Sequence, residues 1–304
     1  MGGLRRSDNT SHAGSPDGPS PGKITTEQQM AKTYRAGAIG TAWAARSPLP
    51  ALSSYEGVEL VTVCSGRMER AREAADKFGA ASAHDDFQQM LASEQLDIVY
   101  VGSPVDLHAP MVIAAAEAGC HVICEKPLAL NAAQCTQMIE ALDSRQLAHQ
   151  VAFTMRQYAG PAKIKQLIDE GYLGELRHAN LNFWLSIPDA YRPPFGALHL
   201  AERGGGILNA MGVHYLDLLG WWFGDFERVS GELRINRPEI PDALGQAHPV
   251  TADDGFVLSG SLRGGATVSM HMSCEVAPGS GGRLELYGSE GSIVLDGTDE
   301  LRCC

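Results

Sequence analysis

The chain has 304 residues, 44% of them hydrophobic and 20% charged, and a formal net charge of −12. That length and composition can build a substantial core and suit two domains, while the acidic balance argues against nucleic acid or an anionic membrane surface as a partner. No apolar run is long and uncharged enough to span a bilayer; Arg5-Arg6 lack the hydrophobic segment of an export signal, and the seven cysteines show no metal-site spacing, so no metal and a reducing cytoplasm are expected.

Residues 1–31 are rich in Ser, Gly, Pro and Asp and read as a disordered tail, with Met30 as an alternative start. From 32 to 155, strand and helix signals alternate. Strands are expected over Tyr34–Ile39, Val58–Cys64, Asp97–Val101, His121–Cys124 and within Gln146–Phe153. Helices are expected over about Ala42–Ser54 with a break near Pro48 and Pro50, then Met68–Phe78, Asp85–Leu91, Asp106–Ala118 and Asn131–Asp143. Continuous apolar strands in this order predict a doubly wound, parallel Rossmann sheet covered on both faces.

From 156 to 304 the pattern becomes α+β. A helix is expected over Ala162–Glu170, and Gly204-Gly205-Gly206 opens another that runs over Ile207–Phe223. The strands now alternate. Ala179, Leu181 and Phe183 oppose His178, Asn180 and Asn182, and Val229, Leu233 and Ile235 oppose Ser230, Glu232 and Arg234. Phe256–Leu262 and Ala266–Met272 flank Gly264-Gly265 as a hairpin, and Leu284–Leu286 and Ile293–Leu295 follow. An open, largely antiparallel sheet is predicted, with one face in a core. The other face, mixing Thr, Ser, His, Met and Trp, is left for solvent or a second subunit.

The chemistry-bearing residues fall at the C-terminal ends of the parallel strands, where such sheets bind ligands. Gly40-Thr41-Ala42-Trp43-Ala44-Ala45 is a G-x-G-x-x-A fingerprint with Ala42 at the middle glycine. Gly40 makes the tight turn, and the methyl of Ala42 crowds a pyrophosphate without forbidding it; a turn of small residues with no ligand fits equally well. After the second strand stands Ser65-Gly66-Arg67, where an NAD site usually places an acid. A hydroxyl and a guanidinium suit a 2′-phosphate, so NADP(H) is favoured and NAD(H) stays open, as does Arg67 being simply an exposed helix start. Ser103, Pro104 and His108 follow the next strand, and Glu125-Lys126-Pro127 ends His121–Cys124.

This spaced set resembles the Gfo/Idh/MocA family of NAD(P)-dependent oxidoreductases. The resemblance rests on Ser103-Pro104, His108, Glu125-Lys126-Pro127, the Gly204–Gly206 run with Gly212, His214 and Asp217, and Tyr287-Gly288-Ser289-Glu290-Gly291, over about Lys32 to Leu295. It implies a nicotinamide cofactor, sugar or cyclic-polyol substrates, and homodimers or homotetramers that pair the open sheet faces. By position it implies Lys126 and His214 as the catalytic pair managing a hydroxyl proton. Gly40, Thr41, Ala42, Trp43, Ser65, Arg67, Ser103, Pro104, His108, Glu125 and Lys126 are the expected cofactor contacts. Arg156, Asn182 and Asn209, with Lys126 and His214, are the expected substrate contacts. Asp217, three residues after His214, is expected to orient its imidazole.

Two departures stand out. The family pattern sets an aspartate where this chain has Ala210, which keeps a catalytically impaired dinucleotide- or sugar-sensing protein as the alternative to an enzyme. The pattern also continues past Leu301-Arg302-Cys303-Cys304, which raises truncation and a defective fragment as a third reading. Specificity is expected from the 187–203 loop.

Overall fold

A computed structural model describes residues 32–186 and 194–304 of the chain. The expected tail and the first part of the specificity loop, residues 187–193, lie outside the described residues.

The first sheet starts with β1 (Tyr34–Ile39), whose last four residues are buried. A single 3₁₀ turn at Ala44–Arg46 follows before α1 (Pro48–Ser54). The expected helix start at Ala42 is therefore corrected to Pro48. Proline drives the residue before it out of helical geometry, and Ser47 sits at φ −142°, while the missing N–H of Pro48 costs nothing at the first helical position.

Next come β2 (Val58–Cys64), α2 (Met68–Phe78) and β3 (Ser82–His84). The following helix, α3 (Phe87–Ser93), begins two residues later than expected because Asp86 is its cap, accepting from the N–H groups of Gln88 and Gln89. β4 (Ile98–Val101), α4 (His108–Glu117), β5 (His121–Cys124), α5 (Ala132–Asp143) and β6 (His149–Val151) complete the layer. The six strands are parallel in the order β3-β2-β1-β4-β5-β6, the doubly wound order with its crevice beside β1. The helices close both faces. Met90, Val112 and Met138 pack on one side, and Leu49 and Tyr100 lie in the cluster on the other.

After α6 (Ala159–Asp169) the chain builds a second sheet from β7 (Leu176–Trp184). A π-helical turn at Leu208–Gly212 leads into α7 (Val213–Phe223), then β8 (Phe226–Arg234). β9 (Glu239–Pro241) and β10 (Ala247–Pro249) form a separate ribbon. β11 (Gly255–Leu262), β12 (Thr267–Ser273), β13 (Gly281–Gly288), β14 (Ser292–Asp296) and β15 (Glu300–Cys303) follow. The order is β15-β14-β13-β7-β12-β11-β8; only β7 and β12 run parallel. Ile164, Leu218, Leu219 and Trp222 press on Leu181, Met270, Met272 and Leu286 to make its core.

Two face expectations change. Met270 and Met272 go into the core, leaving Thr267, Ser269 and His271 on the open face. Val229 and Leu233 share a face with buried Phe256 through strand pairing, yet each is 57% exposed. The alternation is correct; β8 is the edge strand and every residue after its first is exposed.

Candidate active site

The strand ends of the first sheet and the start of α7 enclose a cavity of about 540 Å³, lined among others by Ser103, Lys126, Asn209 and His214. Its floor is set by sequence-local geometry. Gly40 has φ +104°, and a Cβ there would lie 2.3 Å from the Gly102 carbonyl oxygen, so the turns after β1 and β4 touch because neither residue carries a side chain in the gap. Beyond β2, the space around Gly66 is open, Ser65 is buried and Arg67 is exposed. The Thr41 hydroxyl donates to the Ser65 hydroxyl at 3.1 Å and ties the two turns together.

At the end of β5, Glu125 is 7% exposed. The Tyr100 hydroxyl donates to its Oε1 at 3.0 Å, and the Lys126 N–H donates to Oε2 at 3.2 Å. The Lys126 ammonium reaches across to α7's approach and donates to the Ala210 carbonyl at 2.9 Å. Burial pushes the Lys126 pKa down, and neighbouring Glu125 partly opposes this. His214, 7% exposed, is driven down to about 4, first by burial and then by the Lys126 charge. It is therefore neutral at pH 7. Its Nδ1 is buried and has no hydrogen-bond partner among the described residues.

The structure brings Trp43, Ser103, Pro104, Glu125, Lys126, Asn209 and His214 to this one cavity. Thr41 and Ala42 line a separate hollow of about 300 Å³ behind the Gly40 turn, beside Arg70 and Lys77. Other expected site residues are engaged elsewhere. His108, 1% exposed, faces the carbonyls of Ser103, Pro127 and Leu128 and so staples two loops together. Arg156 is engaged by Asp217 through two bonds of 2.7 and 2.6 Å, which also takes Asp217 away from the imidazole. Asn182 is exposed on the open sheet face, because a strand's side chains alternate and Leu181 faces inward.

Sequence alone misses further participants. Tyr100 is the one hydrogen-bonding side chain in an otherwise aliphatic strand end, which is a usable signal. Arg203 lines the cavity and clasps Asp106 at 2.9 and 3.2 Å; Thr298, on the β14–β15 turn, also lines it. No local pattern announces either contact, since each depends on segments far apart in the chain.

A nicotinamide dinucleotide fits this arrangement. The Gly40 turn, the open space at Gly66 and the loops after β4 and β5 form one continuous edge, and the orphan His214 Nδ1 needs a partner that a hydroxyl supplies. Residues 34–153 match the family model described as "Oxidoreductase family, NAD-binding Rossmann fold", and residues 162–294 match that of the "GFO/IDH/MocA C-terminal domain". Levoglucosan dehydrogenase of Pseudarthrobacter phenanthrenivorans is 31% identical over 84% of this chain and 68% of its own length. Myo-inositol 2-dehydrogenase of Thermotoga maritima is 27% identical over 82% of this chain and 71% of its own. Among solved structures, levoglucosan dehydrogenase in complex with NADH and L-sorbose superposes with a TM-score of 0.81 at 27% identity, covering 90% of this chain and 76% of that one.

Proposed function

The chain belongs to the Gfo/Idh/MocA family of oxidoreductases, and from that premise we propose that it transfers a hydride between a nicotinamide dinucleotide and a hydroxyl-bearing carbon of a sugar, cyclic polyol or related compound. The dinucleotide, when bound, supplies or accepts the hydride. This chain's residues manage the proton. Lys126 and His214 both line the cavity, and His214 Nδ1 lacks a partner among the described residues, which is the observation that carries the reading. A substrate hydroxyl seated beside them donates to the neutral imidazole or to a neutral lysine amine, and in the reverse direction the substrate carbonyl oxygen accepts from the ammonium. Glu125, held by Tyr100, fixes the backbone from which Lys126 projects.

The enzyme reading is preferred to sensing alone because the named relatives are dehydrogenases. A panel of sugars and cyclic polyols with both cofactors, read at the reduced-nicotinamide absorbance, tests it. Lys126→Ala is expected to lose turnover by about 10²-fold or more even at saturating dinucleotide, on the order expected for a general acid–base group. Unchanged turnover in that variant rejects the assignment.

NADP(H) is the cofactor we favour. Ser65-Gly66-Arg67 offers a hydroxyl and an exposed guanidinium and no carboxylate at the end of β2, which suits a 2′-phosphate. Arg67→Ala is expected to weaken NADPH binding more than NADH binding; equal losses reject the preference. The polar open sheet face, with Thr267, Ser269 and His271, supports pairing with a second copy, which sedimentation at several concentrations tests. All seven cysteines are free thiols, which supports residence in a reducing cytoplasm.

A further inference from the structure

We propose that the main-chain carbonyl of Ala210, presented by the π-helical turn, is the positioning group for Lys126 in this chain, standing where the family pattern sets a side-chain acid. The proposal rests on the reading of Lys126 as the proton-handling residue.

Residue 210 offers only a methyl group, so the 2.9 Å bond from Lys126 Nζ goes to the backbone. The turn that carries this carbonyl is not a regular α-turn. The N–H of Val213 reaches back to Leu208, five residues away, which widens the helix at Leu208–Gly212. The turn is also pinned. Asp253 accepts the Leu208 N–H at 2.9 Å, and a Cβ on Gly206 would lie 2.0 Å from Asp253 Oδ1, so the capping carboxylate occupies the space a side chain would need. Asn209 Nδ2 donates to the carbonyls of Gly204 and Gly205 at 3.3 Å each. A pinned carbonyl can aim an ammonium as well as a carboxylate can.

It differs from a carboxylate in charge. The ionisable side chains around Lys126 are Glu125 beside it, with Tyr100 behind; His214 and Tyr215 on α7; Tyr158 ahead of α6; and Arg203 on the cavity wall. Only Glu125 among them is anionic. A dipole in place of a second anion leaves Lys126 readier to release its proton, in line with the downward direction that burial already imposes. In the direction of substrate oxidation, the neutral amine takes the hydroxyl proton and becomes the ammonium bonded to the Ala210 carbonyl. In reduction the same proton returns to the alkoxide oxygen.

The test titrates Lys126 in the full chain without cofactor, by NMR of ¹³C-dimethylated lysines, with its signal assigned by its loss in Lys126→Arg. The wild-type midpoint is expected below that of the surface lysines, because burial disfavours the charged form. A midpoint at or above theirs overturns the proposal without any variant. Ala210→Asp is expected to raise the midpoint by about tenfold or more in proton affinity, and Ala210→Asn to leave it within about threefold of wild type, about half a unit. Equal shifts for Asp and Asn, or none for Asp, overturn it. Replacing the Ala210–Met211 amide by an ester weakens that carbonyl as an acceptor and is expected to lower the midpoint further; an unmoved midpoint rejects the carbonyl's role. Turnover of Lys126→Ala, measured separately, decides the underlying catalytic reading on its own.

Discussion

Arg156 and Asp217 hold each other through a two-bond ion pair at 2.7 and 2.6 Å, with the Arg156 guanidinium 5.5 Å from the centre of the Trp221 ring. Planar pairing of this kind fixes both side chains in orientation. It fastens the turn before α6 to the helix that carries His214. Asp217→Ala is therefore expected to destabilise the fold by about 1–2 kcal/mol, discounted because Arg156 is partly exposed. Urea denaturation measures this, and the double variant with Arg156→Ala should lose little more than either single one.

The stability of the protein should fall on mild acidification through His214. Its folded pKa of about 4 lies below the ordinary 6.5. Between those values the unfolded chain takes up a proton that the folded chain refuses, so stability is complete above about pH 6.5 and declines as pH falls towards 4, by up to about 3 kcal/mol. His214→Gln removes this contribution. The difference between wild type and variant should shrink as the pH is lowered from about 7.5 to about 4.5, and a constant difference contradicts the burial of a neutral imidazole.

Gly40→Ala should be damaging in two ways. Its φ of +104° disfavours any L side chain, and the added methyl would meet the Gly102 carbonyl at 2.3 Å. A loss of at least about 2 kcal/mol is expected. Separation of the β1 and β4 turns should also lower dinucleotide affinity, which fluorescence titration with NADPH measures. Gly66→Ala, at a position where nothing lies within 4 Å, is the matched control and should leave stability nearly unchanged.

Tyr100→Phe deletes the donor to Glu125 Oε1 while keeping the ring that packs beneath Gly102. The buried carboxylate then lacks one of its partners, and about 1–3 kcal/mol of stability should go with it. Because Glu125 also accepts the Lys126 N–H, turnover is expected to fall more than cofactor affinity. Steady-state kinetics set beside NADPH titration separate the two.

Much of this architecture is legible from residue order alone. The apolar strands predict the parallel sheet and residue type and spacing mark the Gly40 turn, whereas Glu125, Lys126 and above all His214 stand out through the family resemblance. The misreadings share a cause. Helical spacing assigns Asp217 to His214, because it shows what can touch along one helix and is silent about Arg156, sixty-one residues earlier in the chain. Polarity alone recommends Asn182 for the site, yet its neighbour Leu181 claims the inward face of β7.

Local chemistry thus determines which elements form and which strand ends carry reactive groups, because turn conformation, hydrophobic period and proline restraint act over a few residues. Tertiary structure decides which of those groups meet. The partner of Lys126 is a carbonyl eighty-four residues away, on a helix widened by one hydrogen bond and pinned by Asp253. Every residue has a carbonyl, so composition cannot mark the one that matters; only the packing of α7's approach against the end of β5 selects it.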